Sequence, residues 1–218
     1  MTKKAIDRDS LLDAVLSHVM FDGWSVEAVK RAADDLGVDV LEFDLHFPRG
    51  IADMIAWYVE RADIRMEEEL SKHDLASMKI REKITLAVWL RLEMIQDQKD
   101  VVRKTLTWLS LPANSALGVK LTASTVSRIW YAIGDASTDF AYYTKRITLS
   151  AVYGSTLLYW LDDMSEEHEK TRGFLDRRIE NVMLFERFKF KTRECLGKKP
   201  DFSFVPRPGR FFRNLKAR

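Results

Sequence analysis

An all-α fold is what this 218-residue sequence predicts, and three observations carry it. Apolar residues recur at intervals of three and four along most of the chain, the spacing that places them on one face of a helix. Nine Gly and five Pro leave little room for the turns of an all-β protein. Between the periodic stretches stand helix caps, with Ser or Thr ahead of an apolar run and Gly or Pro behind it. The chain is long enough for one substantial core, and the single Cys195 excludes an internal disulfide, which fits a reducing compartment.

The first helix runs from Asp7 to Met20, with Leu11, Leu12, Ala14, Val15, Val19 and Met20 at helical spacing, and Phe21-Asp22-Gly23-Trp24 closes it. Ser25 caps a second helix with Val26, Val29, Ala32, Ala33 and Leu36 inward, and Gly37 stops it. A short third segment, Asp39 to Phe47, ends at Pro48, which cannot continue a helix. A longer helix follows from about Ile51 to Ser71. Three helices with a Gly turn between the second and third outline a helix-turn-helix. The third segment, however, presents Asp39, Val40, Leu41, Glu42 and Asp44. Carboxylates facing phosphates at one charge per ~1.7 Å of duplex repel it rather than release its counterions, so DNA binding is not expected. His46, alone beside Phe47 and Pro48, reads as a packed structural residue.

From Lys79 to Trp108 two helices are predicted, carrying Ile84, Leu86, Val88, Leu90, Leu92, Met94 and Ile95, then Val101, Val102, Leu106 and Trp108. Leu111-Pro112-Ala113-Asn114-Ser115 is a turn, and helix resumes near Leu117. Ile129 to Trp160 is the longest weakly charged tract. It reads as a helix ending near Ile133, a break at Gly134-Asp135-Ala136-Ser137, and a second helix from about Asp139 capped by Ser137 or Thr138. That second helix carries Phe140, Tyr143, Ile147, Ala151, Gly154, Leu158 and Leu161 on one side and Tyr142, Leu149, Tyr153 and Trp160 on another. It is apolar nearly all round, which predicts burial on both flanks, against the core, a second subunit or a ligand. Its uncharged run, Ile147 to Leu161, falls short of the ~20 residues a bilayer needs.

Ser165 caps a last helix with Glu166 and Glu167 in its first turn and Phe174, Leu175, Ile179, Val182, Met183 and Phe185 along one side. Beyond it the charge changes sign. Residues 186–218 hold 11 Lys or Arg against 3 Asp or Glu, while residues 1–185 hold 24 against 30. Phe188, Phe190, Phe202, Phe204, Phe211 and Phe212 alternate with the basic residues of this tail. That composition suits an anionic bilayer surface, single-stranded nucleic acid, or a disordered solubilising tail.

Catalytic signatures are not found. His18, His46, His73 and His168 include no pair at i and i+4, and no Glu-x-x-His unit, phosphate-binding Gly loop or Gly-x-Ser-x-Gly elbow occurs. Carboxylate runs such as Glu67-Glu68-Glu69 are solvated faces. No metal or cofactor is expected, and a helical body with an apolar centre favours binding over turnover. The N-terminal MTKKAIDRDS has neither the apolar core of a signal peptide nor an Arg-rich amphipathic presequence, so a bacterial cytoplasm is expected, with a trimmed organelle protein as the alternative.

Two resemblances sharpen this reading. Leu11-Leu12-Asp13-Ala14, Gly23-Trp24, Leu36-Gly37-Val38 and His46-Phe47-Pro48 resemble the N-terminal domain of the tetracycline-repressor family. Trp130, Gly134-Asp135, Ser137-Thr138-Asp139-Phe140, Tyr143-Thr144, Arg146, Leu149 and Tyr153, with Phe174-Leu175, Arg178 and the upstream Leu109-Ser110-Leu111-Pro112, resemble the signature of the ninth accessory protein family of ubiquinone biosynthesis, the Coq lipid-binding family. The resemblance implies a tetracycline-repressor-like fold without operator binding. It divides the chain into a helix-turn-helix-like subdomain (1–48), a helical lipid-binding and dimerisation bundle (49–187) and a basic aromatic tail (188–218). It further implies a homodimer holding an isoprenoid quinone or phospholipid, lined by Phe140, Tyr143, Ile147, Ala151, Gly154 and Leu158, and presenting it to the di-iron demethoxyubiquinone hydroxylase. Leu111, Pro112, Trp130 and Tyr131 would contact that enzyme, with Trp130 facing outward. Phe185, Arg187, Phe188, Lys189 and Phe190 would contact a membrane, placing the protein peripherally on a bacterial inner membrane or on the mitochondrial matrix side. Asp135 and Asp139 would hold the helix junction together. A tetracycline-repressor-type regulator with a hydrophobic ligand pocket is the alternative.

Overall fold

The structure, a computed structural model, describes residues 6–137 and 140–196, with side chains excepted at 140, 141 and 183–196. The described residues form nine α-helices and no strand: α1 Arg8–Asp22, α2 Val26–Leu36, α3 Leu41–His46, α4 Ile51–Leu70, α5 Ile80–Glu93, α6 Lys99–Ser110, α7 Ser115–Ala132, α8 Phe140–Asp162 and α9 Glu169–Leu196. The chain divides into two units, Met1–Ile179 and Glu180–Arg218. The helices that surround the candidate site belong to the first.

Local chemistry sets the boundaries. The Asp7 carboxylate accepts from Ser10 N at 2.8 Å and the Ser25 hydroxyl from Ala28 N at 3.2 Å, each satisfying a free donor of a first helical turn. Gly37 sits in the left-handed region at φ 62° and returns its N–H to the carbonyls of Ala33 and Asp34, ending α2. The third helix is shorter than the apolar pattern predicts, because the Asp39 carboxylate takes Leu41 N at 2.9 Å and starts the helix there. Near its end, Phe43 and Phe47 are fully buried.

The repressor-like head is not a separate body. α1 packs on α2 and on α6, α4 on α5 and α7, and α7 on α6 and α8. The Trp24 indole donates to the Thr105 hydroxyl at 2.9 Å inside the core, and its ring lies 6.2 Å from that of Tyr58. Arg61 of α4 pairs with Asp13 of α1 at 2.7 Å, and the Trp57 indole donates to Asp9 at 2.8 Å. Residues 6–48 and the bundle helices therefore share one core.

Two expectations from the sequence change here. The eighth helix is buried on one flank only: Leu149, Val152, Tyr153, Trp160 and Leu161 are inside, while Tyr143, Ile147 and Leu158 are 62, 71 and 60% exposed. Periodicity reported two apolar faces and could not say which one the rest of the chain covers. Ser165 does not open a regular helix either. Glu167 and His168 take left-handed backbone, φ 47° and 55°, in a single 3₁₀ turn, and α9 begins at Glu169.

Candidate functional site

Trp130, Asp135, Ser137 and Arg146 of the signature gather into one cluster at the α7–α8 junction. Gly134 at φ 88° closes α7, passing its N–H to Tyr131 O and that of Asp135 to Trp130 O. A left-handed turn here needs Gly, because a Cβ would crowd the following carbonyl. The turn points the Asp135 carboxylate inward, where Lys145 Nζ reaches it at 2.6 Å, the Ser137 hydroxyl donates at 2.7 Å and Arg146 lies at 3.5 Å. Burial alone would raise the Asp135 pKa, but the bonds from Lys145 and Ser137 and the two cations hold it below its ordinary value. The same cations cover the aromatic residues. Lys145 Nζ stands 5.2 Å from the Trp130 ring, and the Arg146 guanidinium stands 5.0 Å from Tyr131 and 3.4 Å from Tyr142. Asp135 holds the junction together, as the motif implies; Asp139 lies outside the described residues.

The partner-contact residues do not form a single spot. Leu111 and Pro112 are exposed at the start of α7, and Tyr131 is 58% exposed at its end, so the helix's 18 residues hold them roughly 25 Å apart. Trp130 corrects the outward reading: it is 6% exposed, with its indole aimed at the carbonyl of Lys145, 3.3 Å away. Among the described residues, Tyr131 and Tyr143 are the exposed aromatic side chains at this junction. Phe140 and the residues Phe185, Arg187, Phe188, Lys189 and Phe190 have side chains outside the described residues.

Among the described residues, those assigned to lipid form a stripe and not the wall of a closed cavity. Tyr143, Ile147, Ala151 and Leu158 face solvent along α8, with Gly154 half-buried among them. Leaving an aliphatic side chain exposed forgoes about 1.5–3 kcal/mol of burial, so such a stripe is suited to a cover. A cleft of about 360 Å³ lies at the other end of α8. Its walls are Trp89, Leu92 and Trp160, and Glu93, Gln96, His168 and Arg172 form its polar part. The Arg172 guanidinium stacks 4.0 Å from the Trp89 ring, and that indole donates to Glu93.

A further group escaped the sequence reading. Asp63 and Arg91, 1 and 3% exposed, meet inside the bundle at 2.5 Å, and the Thr125 hydroxyl donates to the Asp63 carboxylate at 2.9 Å. Burial pushes the Asp63 carboxyl above the usual carboxylate range, opposed by Arg91 and Thr125. The signal was present: Arg91 interrupts the run Ala87-Val88-Trp89-Leu90-Arg91-Leu92, and Asp63 follows Ala62 on the inward side of α4. A charge that replaces a core residue needs a partner on a facing helix. Among the described residues no group of three or more His, Cys, Asp or Glu could hold a metal ion, and no helix is long and apolar enough to cross a membrane.

Fold and site together define an all-α protein built on the tetracycline-repressor scaffold. The crystal structure of the TetR transcriptional regulator from Nitrosomonas europaea ATCC 19718 superposes with a TM-score of 0.67 at 25% identity, covering 81% of this chain and 98% of that one. Sequence narrows the class further. Residues 115–186, which include the junction cluster and α8, match the COQ9 family model, and most of the chain is similar to the COQ9 proteins. Among them, the ubiquinone biosynthesis protein COQ9-B, mitochondrial, of Xenopus laevis is 32% identical over 79% of this chain and 61% of its own. The human protein COQ9, mitochondrial, is 31% identical over 79% and 56%. The probable ubiquinone biosynthesis protein coq9, mitochondrial, of Dictyostelium discoideum is 28% identical over 86% and 63%. The chain thus spans about three fifths of the length of the curated relatives it matches.

Proposed function

We propose that the chain serves ubiquinone biosynthesis as a non-catalytic accessory protein that binds an isoprenoid quinone intermediate or phospholipid and presents it to the di-iron demethoxyubiquinone hydroxylase. Its relatives are named for that pathway and are mitochondrial. The observation that carries the lipid part is the solvent-facing stripe Tyr143, Ile147, Ala151 and Leu158, which lies inside the stretch that matches the COQ9 model. A polyisoprenyl tail or the same helix of a second copy covers such a stripe without needing polar complements, and each CH₂ it buries contributes about 0.8 kcal/mol. Organic extraction of the purified protein followed by mass spectrometry is expected to return a quinone, isoprenoid or phospholipid in near-stoichiometric amount. A lipid-free extract would overturn the lipid reading.

The enzyme contact belongs to the exposed aromatic end of α7. Because Trp130 is inside, Tyr131→Lys is the variant that tests the exposed end of α7, and it is expected to abolish co-purification of the hydroxylase while leaving the circular dichroism spectrum unchanged. Undiminished capture by Tyr131→Lys would remove this face from the interaction. The rival reading, a transcriptional regulator, is favoured by the likeness to the Nitrosomonas europaea regulator over nearly all of that chain. Against it stand the carboxylates of Asp39, Glu42 and Asp44 around α3. Salt-dependent anisotropy of a labelled duplex would reverse that preference; none is expected.

A further inference from the structure

The cleft where α5, the last turn of α8 and the start of α9 meet is not accounted for by the signature or by the apolar stripe. Its volume is about 360 Å³, and Trp89, Leu92 and Trp160 form its apolar side. Leu92 and Trp160 are fully buried, so the core fixes that wall. The turn beside it is unusual. Glu167 and His168, both of which line the cleft, are the two non-Gly residues with left-handed backbone among the described residues. Such backbone is costly for a residue with a Cβ and clusters where ligands are held. The His168 ring lies edge-on to that of Trp160 at 5.9 Å, and its Nδ1 is buried without a hydrogen-bond partner.

The lining sets the sign of the ligand. Glu93 and Glu167 bring two carboxylates against the single guanidinium of Arg172, an excess of one negative charge with His168 neutral. Lys99 stands 4.9 Å from the Trp160 ring, but its Nζ is held by the Asp163 carbonyl at 2.8 Å. Arg172 itself shows what the lining attracts. Its guanidinium stands 4.0 Å from the Trp89 ring, whose face is electrostatically negative and draws a cation. The carboxylate beside that face is already oriented, because Glu93 Oε1 accepts the Trp89 indole hydrogen. Arg172 is nevertheless weakly held: it lies 3.6 Å from Glu93, beyond hydrogen-bonding distance, and its side chain is 54% exposed. A cation with an apolar body would gain the same face and carboxylate and would also bury its body against Leu92 and Trp160.

We propose that this cleft binds a small organic cation of the amidinium or guanidinium class carried on an apolar ring, its charge on the Trp89 face against Glu93 and its ring against Leu92 and Trp160. Arg172 is the built-in competitor, which leaves the indole face when the ligand arrives. The volume is near the lower end of ligand pockets, roughly 300–1,000 Å³, so a single ring is the size that fits. The site goes beyond the accessory-protein reading, since it requires neither the lipid nor the hydroxylase.

Benzamidinium and benzoate share a ring and differ in the sign of their charge, and each is titrated into the full chain by isothermal calorimetry. Wild type is expected to bind benzamidinium at one site and not benzoate. Arg172→Leu removes the competing cation and is expected to tighten benzamidinium binding about tenfold, a gain that loss of fold cannot produce. Glu93→Gln keeps an oxygen for the Trp89 indole and removes the charge, and it is expected to weaken binding about tenfold with an unchanged thermal midpoint. Preference for benzoate, or loss of benzamidinium binding in Arg172→Leu, makes Arg172 the ligand-holding group and overturns the cation site. Benzamidinium binding that neither substitution changes places the probe elsewhere and overturns it too. So does the absence of heat with either probe in both wild type and Arg172→Leu. None of these results bears on the lipid extraction, so the two readings fail separately.

Discussion

At the scale of single residues, the fold depends on a few carboxylates in unusual surroundings. Asp163, 5% exposed at the end of α8, accepts four hydrogen bonds: from Ser165 N at 2.9 Å, the Ser165 hydroxyl at 2.6 Å, Thr171 N at 2.8 Å and the Thr171 hydroxyl at 2.6 Å. Burial would raise its pKa, but these bonds favour the charged form and hold it far below the ordinary 3.8. A carboxylate whose folded pKa lies below its unfolded one stabilises the protein fully above the unfolded value and loses that contribution as pH falls. Thermal midpoints measured from pH 7 downward are therefore expected to drop below about pH 4. In Asp163→Asn the midpoint at pH 7 should be lower and the acid limb shallower; an unchanged acid limb would assign it to other carboxylates. The sequence reads Ser165 as a helix cap, but its hydroxyl donates to Asp163 instead. That pairing was not legible, because the left-handed turn at Glu167 and His168 brings Thr171 back onto Asp163, and spacing does not report such a reversal. Asp63 and Arg91 were missed for a related reason. Each interrupts an apolar pattern, but 28 residues of chain separate the pair and spacing alone does not join them.

At the scale of elements, helix existence was legible throughout and helix orientation was not. Caps and apolar spacing predicted α1 to α9, with most ends shifted by a residue or two. The direction in which α8 turns its two apolar faces depends on α7, whose buried Val126, Ile129 and Trp130 take one of them. Leu149, 3% exposed, and Ile147, 71% exposed, lie two residues apart on opposite sides. Ile147→Glu is expected to change unfolding free energy in urea by no more than about 0.5 kcal/mol, the range of surface substitutions, and to lower the amount of co-purified lipid. Leu149→Glu puts an unpaired carboxylate into the core and should cost several kcal/mol or prevent folding altogether. Equal effects of the two changes would mean that the stripe is covered within the chain. The junction cluster was the most legible part of the site, since Gly134, Asp135 and Arg146 were all in the motif. The inward turn of Trp130 was not: its one polar atom is aimed at a main-chain carbonyl, and no residue-type pattern encodes that.

At the scale of the whole molecule, the repressor-like head and the helical bundle are bound by polar contacts that cross their sequence boundary. The Thr105 hydroxyl stands at the centre of one. It donates to the Val101 carbonyl at 2.8 Å while accepting from the Trp24 indole, so both capacities of one buried oxygen are used across 81 residues of chain. Arg61 is 7% exposed and draws Asp13 of α1 against α4, and the Arg8 guanidinium lies 4.9 Å from the Phe47 ring and 4.6 Å from that of Trp57. Opening the head alone would uncover Trp24, Phe47 and Arg61 together, leaving a charge and two hydrogen-bonding groups of the bundle without partners. Local opening therefore carries a cost close to that of unfolding the shared core, which predicts one cooperative transition for this unit. Helicity and tryptophan fluorescence are expected to report the same midpoint and slope in urea, Trp24 serving the head and Trp89 and Trp160 the bundle. Trp24→Phe removes the indole donor while Thr105 keeps its bond to Val101, so the midpoint should fall by the equivalent of about 0.5–1.5 kcal/mol with the two signals still coincident. Separation of the signals in wild type would show that residues 1–48 fold as a domain of their own, and the acidic α3 would then be a module free to move against the bundle instead of a fixed part of its surface.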